Sequence, residues 1–360
     1  MSPELTEKKR LLSLDAYRGL TMFLMVSAGF GLGSLIDNPG WEWLARQVDH
    51  VAWEGCVLWD LIQPSFIFIV GVAMPFAFAI RQGRGETWPQ MFGHAWKRAL
   101  ILLLLGVVRY SVDTDTIFFD MTTVLQQIAV AYFFAYFVLG RGIKVQFVAA
   151  LAILVVDWAL FQFWPGVGPG GPYAFNANFH SAVEQAVFGR LTPGGYTGFN
   201  AFGSIATVIF GIIAGELLRK EMAEKSKVVW LVLAGLAGIA VGWALSPVIP
   251  VVKRIWTPSW TIYSAGWASL TLGIFYWLIE VLGKRKWCFV FMVVGMNSIT
   301  IYMLVSVLRG SVNDWIWTFS RPFLAPLGDI GTIIQYNLVL AAFWYMVYWM
   351  YKRSIFLKVG

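Results

Sequence analysis

Histidine and cysteine are scarce in this chain. Its three histidines, His50, His94 and His180, include no two at metal-ligand spacing, so no catalytic metal is expected. Its two cysteines, Cys56 and Cys288, lie far apart and define neither a disulfide framework nor a metal site. Charge is also in short supply. Only 13% of the 360 residues are charged, against about a quarter in a soluble domain. Hydrophobic residues make up 58%, and the mean hydropathy is +0.67. An ordinary soluble domain is thereby excluded. There is no internal repeat, no low-complexity tail and no gap between apolar runs that would house a large soluble domain. The net charge of +7 does not imply nucleic acid, because Lys and Arg flank membrane helices and fix their orientation.

What the sequence does have is apolar length. Stretches such as "ALILLLLGVV" and "VAALAILVVDWALFQF" suit a crossing of roughly 30 Å of hydrocarbon. They do not alternate polar and apolar, so they read as helices and not as strands of a membrane barrel. The expected fold is all-α: one polytopic membrane domain over 1–360. Ten spans are expected, at about 14–36, 57–81, 96–112, 122–140, 145–164, 200–218, 228–247, 259–282, 286–308 and 331–351. The basic run "EKKR" before the first span is followed by no small-residue cleavage site, so that helix is expected to be retained. With these spans, Arg46, Arg109, Arg190, Lys253, Arg254, Arg309 and Arg321 fall on one side, and the other 20 of the 27 basic residues fall opposite. The richer side, with both termini, is expected to be cytoplasmic. The outer side then carries longer loops at 37–56, 165–199 and 309–330. Trp41, Trp43, Trp53, Trp59, Trp256, Trp260, Trp315 and Trp317 collect there, as an interface belt or as a platform for sugar rings.

Few residues could do chemistry in such a chain. His50 precedes the second span, and an imidazole can accept a proton near neutral pH. Asp49, Glu54 and Asp60 lie close to it in sequence. If the helix began early, Glu54 would sit one turn from His50 and could orient it. Asp60, a carboxylate at membrane depth, calls for a cavity or a partner such as Arg109 or Arg18. Cys56 permits a Cys–His nucleophile, or is simply a small apolar residue. His180 either contacts substrate or is a solvated loop residue. Asp15 and Arg18 are spaced to pair on a helix, and Gly19 would admit a close neighbour. Gln126, Gln127, Asn297 and Ser298 are polar groups inside spans, where they join helices or line a path. The basic patches "RQGRGETWPQMFGHAWKR" and "LLRKEMAEKSK" would meet a cytoplasmic anion first, or are plain flanking charge.

One stretch carries more than this chemistry. "RLLSLDAYRG", then "LMV", then "HVAWEGCVLWDLIQPSFIFIVG" resembles the heparan-α-glucosaminide N-acetyltransferase family and its bacterial relatives. The family pattern H-x-x-W-x-G, then D-L-x-x-P-x-F-x-F-x-x-G, is matched without a gap by His50, Trp53, Gly55, Asp60, Leu61, Pro64, Phe66, Phe68 and Gly71. "VLQQIAVAYFF", "FGSIATVIFGIIAGELLR", "WTPSWTIYSAGWASL" and "VGMNSITIYM" look like later blocks in the same order. The sequence departs from the pattern at Gly29, where relatives often have Asn. It departs also at Gln127, which replaces a basic residue, and at "PGGYTGFN", which lacks the acids found there.

The resemblance implies a transmembrane acyltransferase that takes acetyl-CoA from the cytoplasmic side and acetylates an amino sugar or glycan on the far side. It places the catalytic histidine on His50 and the family's opening Asp and Arg on Asp15 and Arg18. On that reading Asp60 or Glu54 holds the imidazole, and Arg18, Lys97 and Arg98 are candidates for the coenzyme phosphates. Gln126, Asn297 and Ser298 are candidates to stabilise the oxyanion, and Trp53 and His180 to touch the acceptor. A bacterial inner membrane with His50 facing the periplasm is the expected location. Association into a homodimer through small residues such as "GIIAG" is permitted. A transporter of a glycan or lipid intermediate, and a family member without catalysis, stay open as alternatives.

Overall fold

The computed structural model describes residues 11–114, 117, 119 and 121–357. Lys8, Lys9, Arg10 and Lys358, used in the charge count, lie outside the described residues. All regular structure among the described residues is helical. The α-helices are α1 (Leu12–Val26), α2 (Glu42–Gln47), α3 (Ile62–Gly83), α4 (Trp88–Thr114), α5 (Val124–Ala135), α6 (Ile143–Phe163) and α7 (Phe179–Phe188). They continue as α8 (Ala201–Arg219), α9 (Glu224–Leu245), α10 (Pro258–Tyr276), α11 (Phe289–Met296), α12 (Ser298–Leu324) and α13 (Asp329–Lys352). Among the described residues, seven helices are long and apolar enough to cross a membrane, or up to nine if each bent pair is one span. The span expected at 122–140 is a shorter apolar helix, Val124–Val138.

The two bends have local causes. After α1 the backbone turns left-handed at Ala28, Gly29, Phe30 and Gly31, with φ of 47°, 65°, 56° and 75°. Glycine adopts that region freely, and the two glycines let the chain turn by 48° into the 3-10 segment Ala28–Asp37. The second bend, 70°, separates α11 from α12 at Asn297. There the Asn297 side chain donates to Ile355 O at 3.0 Å and accepts from Leu357 N at 3.2 Å.

Residues 309–330 are not the expected loop. α12 runs on to Leu324 and turns at Gly328 (φ 54°) into α13. "RGSVNDWIWTFS" contains no Pro and one Gly, at its second position, and the helix passes Pro322 before it ends at Leu324. Gln335 on α13 ties the extension down by donating to Asn313 O at 3.0 Å and accepting from Ser320 Oγ at 2.8 Å.

Small residues set the helix contacts. α3 lies along α8, and a Cβ added at Gly71 would fall 2.1 Å from Val208 O, one at Gly211 2.2 Å from Phe68 O. Gly215 likewise faces Val72 O, so the "GIIAG" stretch is used within the chain. α9 packs along α10, and α1 along α11. The tryptophans of the outer side divide. Trp41, Trp43 and Trp315 are exposed, whereas Trp256 and Trp260 are enclosed in the core, with Trp256 Nε1 donating to Thr207 Oγ1 at 3.1 Å.

Candidate active site

Residues 50–57 are not helical, and Gly55 has a φ of 111°. Glu54 therefore does not stack one helical turn from His50; it is exposed. The chain returns to helix through a 3-10 turn, Leu58–Leu61, and only then enters α3, with Pro64 in its first turn. Proline is tolerated there because the first-turn N–H groups have no intrahelical partner. The result brings Asp60 back beneath His50.

Nδ1 of His50 lies 2.7 Å from Oδ1 of Asp60. The His50 side chain is 37% exposed and that of Asp60 is fully buried. The other oxygen, Oδ2, accepts from the backbone N–H of Val57 at 3.3 Å and of Val51 at 3.4 Å. A third side chain completes the cluster. Lys253 Nζ stands 3.3 Å from Asp60 Oδ1 and 3.2 Å from His50 Nδ1. Every neighbour of Asp60 is thus a donor, which suits a carboxylate. An ionised Asp60 can accept from Nδ1–H of His50, the tautomer in which Nε2 carries the lone pair. Burial draws the Lys253 amine below the ordinary lysine range, with the Asp60 carboxylate acting against that pull.

Three segments hold the cluster. Thr257 caps α10, accepting from Trp260 N at 3.4 Å and from Val252 N at 3.1 Å, and donates to Pro250 O at 2.8 Å. With Pro258 at the first helical position this is a strong helix start, and it fixes the turn that carries Lys253. Arg254 donates to Val51 O at 3.1 Å and to Gly194 O, and lies over the Tyr196 ring. Gly55 N donates to Val251 O at 2.9 Å. Trp53 donates to Tyr173 O at 3.0 Å and meets Phe175 edge-on. The loop 165–199 is thereby fastened beside His50.

The family model for heparan-alpha-glucosaminide N-acetyltransferase, catalytic, matches residues 10–241 of this chain, which include the His50–Asp60 pair. The chain belongs to that family. It is 24% identical to the heparan-alpha-glucosaminide N-acetyltransferase of Mus musculus and 25% identical to that of Homo sapiens, over 97% of its own length in each case. It spans about 60% of the length of those curated relatives.

The other expected residues of this family member fall in separate places. Arg18 bonds Asp15 at 2.6 Å and Gly295 O at 2.9 Å. Arg18, Arg98 and Ser298 line one cavity of about 70 Å³, and the buried Nε of Arg98 has no hydrogen-bond partner. Lys97, next in the chain to Arg98, is exposed. Gln126 caps α5, accepting from Thr123 N at 3.2 Å and Thr123 Oγ1 at 2.7 Å. Asn297 anchors the C-terminal segment at the bend already described. His180 is completely buried, 2.9 Å from Asp157 Oδ1, among Phe161, Phe179 and Phe199.

Sequence reasoning missed two parts. In the sequence Lys253 is only one of seven outer charges. It lies beyond the matched stretch, and nothing in "VVKRIW" alone marks a buried amine. The second part is a polar chain just inside the site. Gln63 Nε2 donates to Gln127 Oε1, Gln127 Nε2 donates to Ser204 Oγ, and Ser204 donates to Asn200 O at 3.0 Å. Gln63 follows Asp60 by three residues, a spacing that could have pointed to it.

Proposed function

We propose that this chain is a transmembrane acetyltransferase that moves an acetyl group from cytoplasmic acetyl-CoA to an amino sugar or glycan on the far side of the membrane. The observation that carries this reading is the His50–Asp60 pair, made through Nδ1 of a part-exposed imidazole, in the stretch the family model matches. Seven long helices, two bent pairs and the short Val124–Val138 helix would make ten crossings. The basic bias puts both termini in the cytoplasm and His50 at the outer end, as in a bacterial inner membrane facing the periplasm.

The chemistry has two routes at the same atom. As a general base, Nε2 takes the proton of the acceptor amine while the nitrogen attacks the thioester carbonyl. The new C–N bond forms, the C–S bond breaks, and the proton passes on to the coenzyme thiolate. As a carrier, Nε2 itself takes the acetyl group as the C–S bond breaks and the thiolate leaves, then yields the acetyl group to the amine, whose proton goes to the freed imidazole and on to the thiolate. In both, Asp60 fixes the tautomer and balances the charge that develops on the ring. Arg18, Arg98 and Ser298 around one cavity, with a free Arg98 Nε, suit an anionic group such as a coenzyme phosphate, with Lys97 beside them. Trp53 offers an aromatic edge near the acceptor end.

The test uses purified protein, labelled acetyl-CoA and a panel of glucosamine, other amino sugars and hydroxyl sugars. Labelled product that is lost in His50→Ala, with coenzyme binding retained, supports the reading. Near-normal transfer by that variant would overturn the role of His50. Absence of coenzyme binding at saturation would point to a transporter or a non-catalytic member.

A further inference from the structure

We propose that Lys253 is a positioning residue that keeps the His50 imidazole neutral at rest. This rests on the acetyltransferase reading for its purpose, but not for its physics. Asp60 Oδ1 is the shared partner of the imidazole and the amine, at 2.7 Å from His50 Nδ1 and 3.3 Å from Lys253 Nζ. Asp60 is fully buried and Lys253 is 4% exposed. In such surroundings a net charge is costly, so one carboxylate balances one cation. Lys253 already fills that place. A proton on His50 would add a second positive charge 3.2 Å from the first. Without the ammonium, Asp60 and an imidazolium would form the balanced pair instead, and Nε2 would hold a proton and could not act as a base.

The remaining charged and titratable neighbours do not take over this task. Arg254 adds to the positive field, but its guanidinium is turned to Val51 O and Gly194 O. The Cys56 thiol is held protonated, and so supplies no counter-charge. Asp49 accepts from the backbone N–H of His50 on the exposed side. The arrangement also favours release: a proton gained by Nε2 makes the ring a cation whose Nδ1 lies 3.2 Å from the Lys253 ammonium, so the proton is handed on.

Diethyl pyrocarbonate, which acylates only the neutral imidazole, reads this without any substrate. The purified full chain is treated across a pH series and the peptide carrying His50 is quantified by mass spectrometry, with exposed His94 as the internal reference. Lys253→Met should move the half-reaction of His50 to higher pH by about one unit or more, and Lys253→Arg should leave it in place. Acetyl transfer by Lys253→Met should fall about tenfold or more at neutral pH and recover as pH rises. Lys253→Gln gives the same reading if the Met substitution does not fold. An unmoved His50 profile in the neutral variants, or an equal shift in Lys253→Arg, overturns the proposal. A shifted profile in a protein whose His50→Ala form still transfers acetyl leaves this proposal standing and removes the catalytic one.

Discussion

Nδ1 of His50 and Oδ1 of Asp60 lie 2.7 Å apart, joined across ten residues by a turn and not by a helix. The carboxylate is held by two backbone N–H groups, so its place does not depend on the imidazole. Asp60→Asn keeps the shape but presents an amide, which can favour the wrong ring tautomer. Transfer should fall by about 10²–10⁴-fold, with coenzyme binding little changed. Steady-state rates with a saturating donor check this; a loss below tenfold would deny Asp60 its role.

Cys56 lies between His50 and Asp60 in sequence, yet it is a poor nucleophile. Burial, with the Asp60 charge adding to it, pushes its thiol up to about 12. The thiolate is therefore nearly absent at neutral pH. The folded thiol binds its proton more tightly than the unfolded one, whose ordinary value is 9.0. Its contribution to stability is thus present below that pH and is lost as pH rises towards 12. Cys56→Ala should keep transfer within about twofold, and iodoacetamide should label Cys56 slowly until the medium is strongly alkaline. Loss of transfer in Cys56→Ala would reopen the Cys–His route.

The sequence was most legible where one physical demand fixed one residue type. Long apolar runs marked an all-helical membrane chain, because hydrocarbon leaves a backbone few alternatives to the helix; seven to nine of the ten expected spans are long and apolar enough among the described residues. The spacing of His50 and Asp60 was legible through the gapless motif. Lys253 was not, because its partner lies 193 residues away and only the folded chain brings an amine to that carboxylate. The loop expected at 309–330 failed for a different reason. Helix α12 extends through most of it, with polar residues bonded to α13, and only the folded chain shows those bonds. His180 shows the same limit, since a loop histidine can be enclosed by three phenylalanines that no local pattern connects to it.

Gln127 has its amide shared between Gln63 and Ser204. Gln127→Leu would remove the acceptor of the half-buried Gln63 amide and the donor to the buried Ser204 Oγ, which keeps only its bond to Asn200 O. The expected loss is about 1–3 kcal/mol of stability, seen as a lower melting temperature in detergent. Gln127→Glu, which keeps the acceptor for Gln63, should lose less. An unchanged melting temperature in the Leu variant would show that the chain of amides contributes nothing.

Gly19 follows Arg18 on α1 and faces α11. A Cβ there would fall 1.7 Å from Phe291 O, with Gly295 N at 3.0 Å. Gly19→Val should therefore push α11 away and break the Arg18–Gly295 bond of 2.9 Å. A destabilisation of about 1–3 kcal/mol is expected, together with weaker acetyl-CoA binding if Arg18 helps to hold the phosphates. Calorimetric titration of the coenzyme separates the two effects. Weaker binding at temperatures well below the melt assigns the loss to Arg18.

Sidedness decides whether His50 faces the acceptor or the donor. The exposed Trp43 lies on the stretch that leads to His50, and the exposed Lys220 follows α8, which starts beside the site and runs away from it. The two positions therefore report opposite ends of the same bundle. In a background with Cys56→Ala and Cys288→Ala, an impermeant maleimide applied to intact cells should label Trp43→Cys. It should label Lys220→Cys only after the cells are opened. Lys and Arg cluster around Lys220, and translocating them is unfavourable, which is why this orientation is expected. The reverse pattern would place His50 on the cytoplasmic side. Acetyl transfer to a far-side acceptor would then require the acceptor, and not the acetyl group, to cross.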